Sequence, residues 1–162
     1  SDVLQRLQET DLEFIVCGGM AAIIHGVERT TLDLDLSVSL SEDNIPNLLD
    51  AVSRLGLTPR VPVNPAILAD EGEVKRMIED KHAKVFTFID HANPFFQLDI
   101  FLPPELRYEN LAPFSSLHRF RGKPLRVLTA EKLLELKEAI SPPRPKDQMD
   151  IQILRRKLHD AP

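Results

Sequence analysis

Between residues 32 and 40, Leu32, Leu34, Leu36, Val38 and Leu40 alternate with Asp33, Asp35, Ser37 and Ser39. A period of two over this length reads as a β-strand with one apolar and one polar face. The apolar face has to be covered, so the chain is expected to build a sheet with helices packed on it. The polar face carries both aspartates, about 6.6–6.8 Å apart along the backbone, close enough for one cation to touch both. Unpaired like charges at this spacing repel. Magnesium is a suitable neutraliser, because it takes carboxylate oxygens together with substrate phosphates and keeps its remaining waters. Two solvated carboxylates on an exposed strand would look the same, so the surroundings decide.

Upstream, the apolar run Leu12 to Cys17 stops at Gly18-Gly19, and Met20 to His25 is helix-prone and ends at Gly26. Strand, glycine turn and helix in that order form a place where backbone amides and the positive helix end hold phosphate oxygens. Glycine permits the close approach, though a tight turn alone would use the same residues. The lysine of a phosphate-binding loop is absent. Arg29 and Thr31, just before the aspartates, are candidates for phosphate contact or plain loop residues. Asp99 lies among Phe96, Leu98, Ile100 and Leu102, where a carboxylate is costly unless it faces the same polar site. Three aspartates on two strands beneath a glycine turn are the components of two-metal phosphoryl transfer.

The remaining segments fill out an α+β fold. Residues 1–10 read as an amphipathic helix. Ile45, Leu48, Leu49, Val52 and Leu55 recur at helical spacing, with Ser41 as expected N-cap and Gly56 as stop. Asn64-Pro65 opens another helical stretch through Ile67, Leu68, Val74, Met77 and Ile78, interrupted at Gly72. Val85 to Ile89 and Phe95 to Leu102 form an antiparallel hairpin, and a second hairpin turns at Arg121-Gly122-Lys123-Pro124. Thr129 caps a helix from Ala130 to Ile140. After Ser141-Pro142-Pro143-Arg144, Pro145 begins a last helix running through Leu158, with Met149, Ile153 and Leu154 facing inward. The expectation is one domain over 1–162: a mixed β-sheet flanked by helices (about 11–102), then a small C-terminal hairpin and helical appendage (103–162).

Composition narrows the function classes. The 162 residues, 43% apolar and 28% charged, suit a compact globular domain. A net charge of -5 argues against coating nucleic acid by bulk electrostatics. The lone cysteine, Cys17, excludes an internal disulfide framework and a cysteine-rich zinc site, and it fits a reducing compartment. No apolar run approaches the roughly 20 residues that span a bilayer, and the opening lacks a secretory apolar stretch. The expectation is a cytoplasmic protein without a membrane partner. His25 and His82 lack metal-ligand spacing and read as structural or surface residues, and Cys17 as buried strand.

Gly18-Gly19, Asp33-Leu34-Asp35 and Asp99 together resemble the signature of the DNA polymerase beta-like nucleotidyltransferase superfamily. The string Gly18 to Gly26, with Arg29, Thr31 and Asp33 to Leu36, is similar to the branch that includes abortive-infection (AbiEii-type) toxins of toxin-antitoxin pairs. Arg144 to Ile151 resembles that branch's C-terminal Lys-Asp-x-x-Asp helix. The resemblance implies that Asp33 and Asp35 bind both metals, Mg2+ or Mn2+, and that Asp99 ligates one and helps deprotonate an acceptor hydroxyl. Gly18, Gly19, Arg29 and Thr31 would hold the triphosphate of a nucleoside triphosphate substrate, with Lys137 and Lys146 facing nucleotide or acceptor. Lys146 and Asp150 also have the spacing of a plain i, i+4 pair. The resemblance leaves the acceptor open among a protein, an RNA such as tRNA, and a small molecule, and it implies a possible cognate antitoxin. Two alternatives stand beside it: a catalytically silent binding or regulatory module of the same fold, and an aminoglycoside-type adenylyltransferase.

Overall fold

A computed structural model describes residues 2–160, so Ser1 of the first expected helix and the last two residues of the expected domain lie outside it. The helices are α1 (Asp2–Gln8), α2 (Gly18–Ile24), α3 (Ile45–Arg54), α4 (Glu71–Lys81), α5 (Tyr108–Leu111), α6 (Ala130–Glu138) and α7 (Pro145–Asp160). The strands are β1 (Phe14–Cys17), β2 (Asp33–Val38), β3 (Leu57–Pro59), β4 (Val85–Asp90), β5 (Asn93–Phe101), β6 (Ser115–Phe120) and β7 (Lys123–Leu128). Among the described residues they form a seven-stranded mixed sheet in the order β3-β4-β5-β2-β1-β7-β6. The β2–β5 and β1–β7 pairs are parallel and the others antiparallel.

The expected C-terminal hairpin therefore extends the main sheet. All four residues of β1 are buried. A strand covered on both faces sits inside a sheet with both edges paired, and β7 supplies the second edge through Val16 and Val127. The short strand β3 and the single turn of α5 escaped the sequence reading because neither is long enough to show a period. β3 is antiparallel to β4 at the sheet's other edge.

Local chemistry explains the shifts in helix boundaries. Residues 41–44 make a turn, with the Ser41 carbonyl accepting from Asn44 and Ile45, so the N-cap of α3 is Asn44 and not Ser41. Gly56 stops α3 with φ +70 as expected. The stretch after Asn64 breaks at Asp70 instead of Gly72. Asn64 caps a 3₁₀ turn over Pro65–Ala69, and the Asp70 carboxylate accepts from the amides of Gly72 and Glu73, starting α4 afresh. Thr129 caps α6 through the Lys132 amide.

One contiguous core joins Leu4 and Leu7 of α1, Leu34 and Leu36 of β2, Leu48 and Val52 of α3, Phe88, Leu98 and Leu154. The polar face of β2 is only partly polar in its setting. Ser37 is completely buried and its hydroxyl donates to the Leu106 carbonyl at 2.6 Å. The aspartate face is thus closed at the Ser37 end and open at the Asp33 end. On α7, Met149 is 38% exposed, while Asp147, Asp150 and Leu154 are fully buried. Spacing of apolar residues alone put Met149 inside; the inward face is set by two carboxylates.

Candidate active site

Strand register brings the three predicted carboxylates together. Asp35 lies opposite Cys17 of β1 on one side and Asp99 of β5 on the other, and Asp33 lies opposite Gln97. Because β2 and β5 are parallel and in register here, Asp33, Asp35 and Asp99 leave the same face of the sheet. All three line one cleft with Gly18, Gly19, Arg29, Thr31, Lys137 and Lys146. The structure thus gathers every residue that the sequence singled out. Phe101, Leu133, Leu136 and Ile140 form its apolar side.

The two glycines are fixed by what stands above them. Gly18 opens α2 with φ +59, and a Cβ there would lie 1.9 Å from Asp35 Oδ2. A Cβ on Gly19 would lie 2.6 Å from Arg29 Nη2. Neither position has room for a side chain without displacing a charged group, so the backbone runs directly beneath Asp35 and Arg29.

Charge in the cleft is unevenly compensated. Burial pushes the Asp35 carboxyl up to about 6 from its ordinary 3.8, with further contributions from Asp99 and then Asp33, against a partial opposing pull from Lys137 and Lys146. Asp99 accepts a hydrogen bond from Thr87 Oγ1 at 2.6 Å through Oδ1. Thr87 sits directly across from it in β4. Sequence reasoning missed this hydroxyl, because the pairing depends on a hairpin register that the turn residues left open. Asp33 is about one-third exposed and lies 3.9 Å from Lys146 Nζ. Lys146 therefore faces Asp33, and its expected i, i+4 pairing with Asp150 is absent because Asp150 is engaged elsewhere.

That engagement is a second cluster at the back of the cleft. Arg29 donates to Asp150 through Nε and Nη2, both at 2.8 Å. Lys137 Nζ lies 2.9 Å from Asp150 Oδ2 and 3.4 Å from Asp147 Oδ1. Arg144 Nε donates to Asp147 Oδ2 at 2.6 Å. Burial alone would raise both carboxyls. For Asp147 the Arg144 hydrogen bond and Lys137 outweigh it, and for Asp150 those of Arg29 and Lys137 do, so both are held below the ordinary carboxylate range. Lys137, for which the sequence offered no partner, finds two from α7. Thr31 receives the Asp33 amide at 3.3 Å on its hydroxyl, supporting the start of β2. His25 Nε2 lies 2.6 Å from the Leu128 carbonyl and His82 ends α4 in the left-handed conformation, both structural placements. Cys17 is buried, which holds its thiol well above the ordinary range.

Three cations thus pair with two carboxylates at the back wall, while among the described residues the three carboxylates on the floor share one ion pair, that of Asp33 with Lys146 at the rim. Among the described residues no three His, Cys, Asp or Glu side chains are drawn into a ready-made metal cage. The donor set suits instead an open site of the magnesium type, in which one or two carboxylates hold the ion and substrate phosphates complete its shell.

Comparisons with known proteins bear on the family and the fold. The model of a family described as nucleotidyl transferase AbiEii toxin, type IV toxin-antitoxin system, matches residues 2–162. No curated protein sequence matches the chain. Among solved structures, the lincosamide antibiotic adenylyltransferase LnuA, lincomycin-bound, superposes with TM-score 0.61 at 12% identity, over 95% of this chain and 92% of that one. The antibiotic-resistance factor ANT(2'')-Ia gives TM-score 0.60 at 16% identity, over 96% and 80%. An antigenic nucleotidyltransferase-like protein from Paracoccidioides brasiliensis gives 0.53 at 14%, over 94% and 72%. At these identities the likeness is one of fold.

Proposed function

The chain belongs to the AbiEii nucleotidyl transferase toxin family, and from that premise we propose that it transfers a nucleoside monophosphate from a nucleoside triphosphate to an acceptor hydroxyl, using divalent magnesium or manganese at Asp33, Asp35 and Asp99. The observation that carries this reading is the under-compensated row of carboxylates directly above a glycine turn: Asp35 Oδ2 occupies the space that a Gly18 side chain would need. Such a row is unfavourable in the free protein and becomes favourable when a cation and a polyphosphate enter together.

A bound divalent ion would neutralise triphosphate charge and stabilise the attacking and leaving oxygens. The chain's own groups supply the rest. Backbone amides at Gly18 and Gly19 meet phosphate oxygens at the start of α2, and Lys146 reaches them from the rim. Arg29 and Lys137, each bonded to Asp150, form the positive back wall, and Thr31 steadies the strand that carries Asp33. With Oδ1 of Asp99 occupied by Thr87, Oδ2 remains to accept the proton of the acceptor hydroxyl as it attacks the α-phosphorus. The bond from that phosphorus to the bridging oxygen breaks and pyrophosphate leaves. The cleft measures about 160 Å³, below the roughly 300–1,000 Å³ of pockets that enclose whole small molecules. It suits the phosphate end of the substrate, with sugar and base lying outside.

The family assignment supports a toxin role with a cognate antitoxin as partner. The lone buried Cys17 suits the cytoplasm as the working compartment. Among the described residues no helix is long and apolar enough to cross a membrane. The test is transfer of labelled nucleotide to protein, RNA and aminoglycoside acceptors by wild type and Asp35→Asn. Magnesium-dependent transfer to one acceptor class, reduced at least about a thousandfold in Asp35→Asn, is expected, since the substitution removes charge from the site of electrostatic stabilisation. Equal transfer by both proteins removes Asp35 from the chemistry, and no transfer to any acceptor favours a silent module.

A further inference from the structure

The catalytic cleft opens past its rim into a second, shallower depression of about 550 Å³. Asp33 and Lys146 border both spaces, and beyond them the second is lined by Leu32, Pro94, Phe95 and Gln97. Two of these are large apolar side chains in water: Leu32 is 59% exposed and Phe95 is 74% exposed. Single exposed apolar residues are ordinary. Two lining one depression at the mouth of a phosphate-sized cleft are a surface available to a substrate.

Backbone irregularity produces this surface. Pairing between β4 and β5 runs regularly to Ile89–Gln97 and then jumps to Asp90–Asn93, so three residues of β5, Pro94 to Phe96, bulge out against none of β4. A bulge re-aims side chains and is common beside active sites. Here Phe95 lies at the middle of the bulge, with its side chain in water. The Gln97 backbone N–H donates to the Leu32 carbonyl at 3.3 Å, tying the base of the bulge to the segment that leads into the two aspartates. The backbone at the base of the bulge is thereby tied to the residue that precedes Asp33, two strand positions from Asp35.

We propose that Leu32 and Phe95 form a stacking platform for a nucleobase, with the side-chain carboxamide of Gln97 available to its polar edge, so that these residues set base preference. This rests on the function proposed above, which leaves base and sugar outside the cleft. An aromatic face stacks on any nucleobase, whereas an amide carries both donor and acceptor for edge recognition. The base belongs either to the nucleoside triphosphate or to the acceptor strand, and the same chemistry serves both.

Calorimetric titration separates the sources. Magnesium with inorganic tripolyphosphate, with each of ATP, CTP, GTP and UTP, and with a short single-stranded oligoribonucleotide is titrated into wild type, Phe95→Ala and Phe95→Tyr. Tripolyphosphate is expected to bind all three proteins alike. At least one nucleobase-bearing ligand is expected to bind Phe95→Ala about tenfold more weakly, about 1.4 kcal/mol, with affinity restored in Phe95→Tyr. A loss on the triphosphates assigns the platform to the incoming nucleotide, and a loss on the oligonucleotide alone assigns it to the acceptor. The platform is overturned if Phe95→Ala binds every nucleobase-bearing ligand as wild type does, if wild type binds none, or if tripolyphosphate weakens equally. Failure of tripolyphosphate to bind wild type at all would sink the underlying function as well, which distinguishes the two failures.

Discussion

The floor and the back wall of the cleft hold the same kinds of groups in opposite electrostatic conditions. On the floor, Asp33, Asp35 and Asp99 crowd one another, and Asp35 is driven up to about 6 by burial and by its neighbours. On the back wall, Asp147 and Asp150 are more deeply buried, yet both are held below the ordinary range because Arg29, Lys137 and Arg144 surround them. Burial raises all three carboxyls, and the presence of cationic partners decides whether that rise survives. A cluster that satisfies itself holds the fold and orients what is attached to it. A cluster that does not is poised for something brought from outside.

The largest expected stability effect attacks the back wall. Asp150→Ala leaves Arg29 and Lys137 facing each other without their shared carboxylate, and breaking a buried pair from one side costs about 3–5 kcal/mol. Urea denaturation should show this loss. A change under about 1 kcal/mol would mean that the cluster is wetter than its geometry indicates, and the contrast with the floor would weaken.

The floor should respond with the opposite sign. The folded-state value for Asp35 lies above its ordinary 3.8, so ionising it favours unfolding, and its cost is fully present above about pH 6. The cost fades as pH falls through 6 and is gone below about pH 4, where both states are protonated. Asp35→Asn is therefore expected to be more stable than wild type above about pH 6, by up to about 3 kcal/mol, with the difference vanishing in acid. Melts across pH without divalent ions check this. Equal stability at all pH values would mean that the floor carries no electrostatic strain.

A surface pair calibrates both. Arg54 and Asp50 form an i, i+4 ion pair at 2.9 Å with both side chains more than half exposed. Arg54→Ala should shift stability by less than about 0.5 kcal/mol by the same denaturation assay. A loss comparable to that of Asp150→Ala would show that burial contributes nothing to the distinction.

Much of the floor was legible because it is built from local patterns. Alternation fixed the side on which Asp33 and Asp35 project, and the glycine pair after an apolar run marked the turn beneath them. The back wall was not legible in the same way. Arg29 and Lys137 were marked as separate candidates and Asp150 by the resemblance of its helix, but the three are far apart in sequence and nothing in their own segments shows that they pair. Met149 shows the cost of reading periodicity alone: an apolar residue expected inside is exposed because Asp147 and Asp150 take the inner face of α7. The β5 bulge that presents Phe95 was hidden for a related reason, since pairing is a property of two strands and a register shift leaves no mark on either one.

The sequence by itself determined the α+β class, the turn at Gly18-Gly19 and the strand face shared by Asp33 and Asp35, because each follows from the geometry of a few neighbouring residues. Only the tertiary structure decided that Asp99 stands beside Asp35, that the C-terminal hairpin completes the sheet and that α7 closes the cleft with carboxylates already neutralised. Those outcomes depend on strand order, register and the pairing of distant charges, where the free energy resides in contacts between segments and not in the preference of any segment alone.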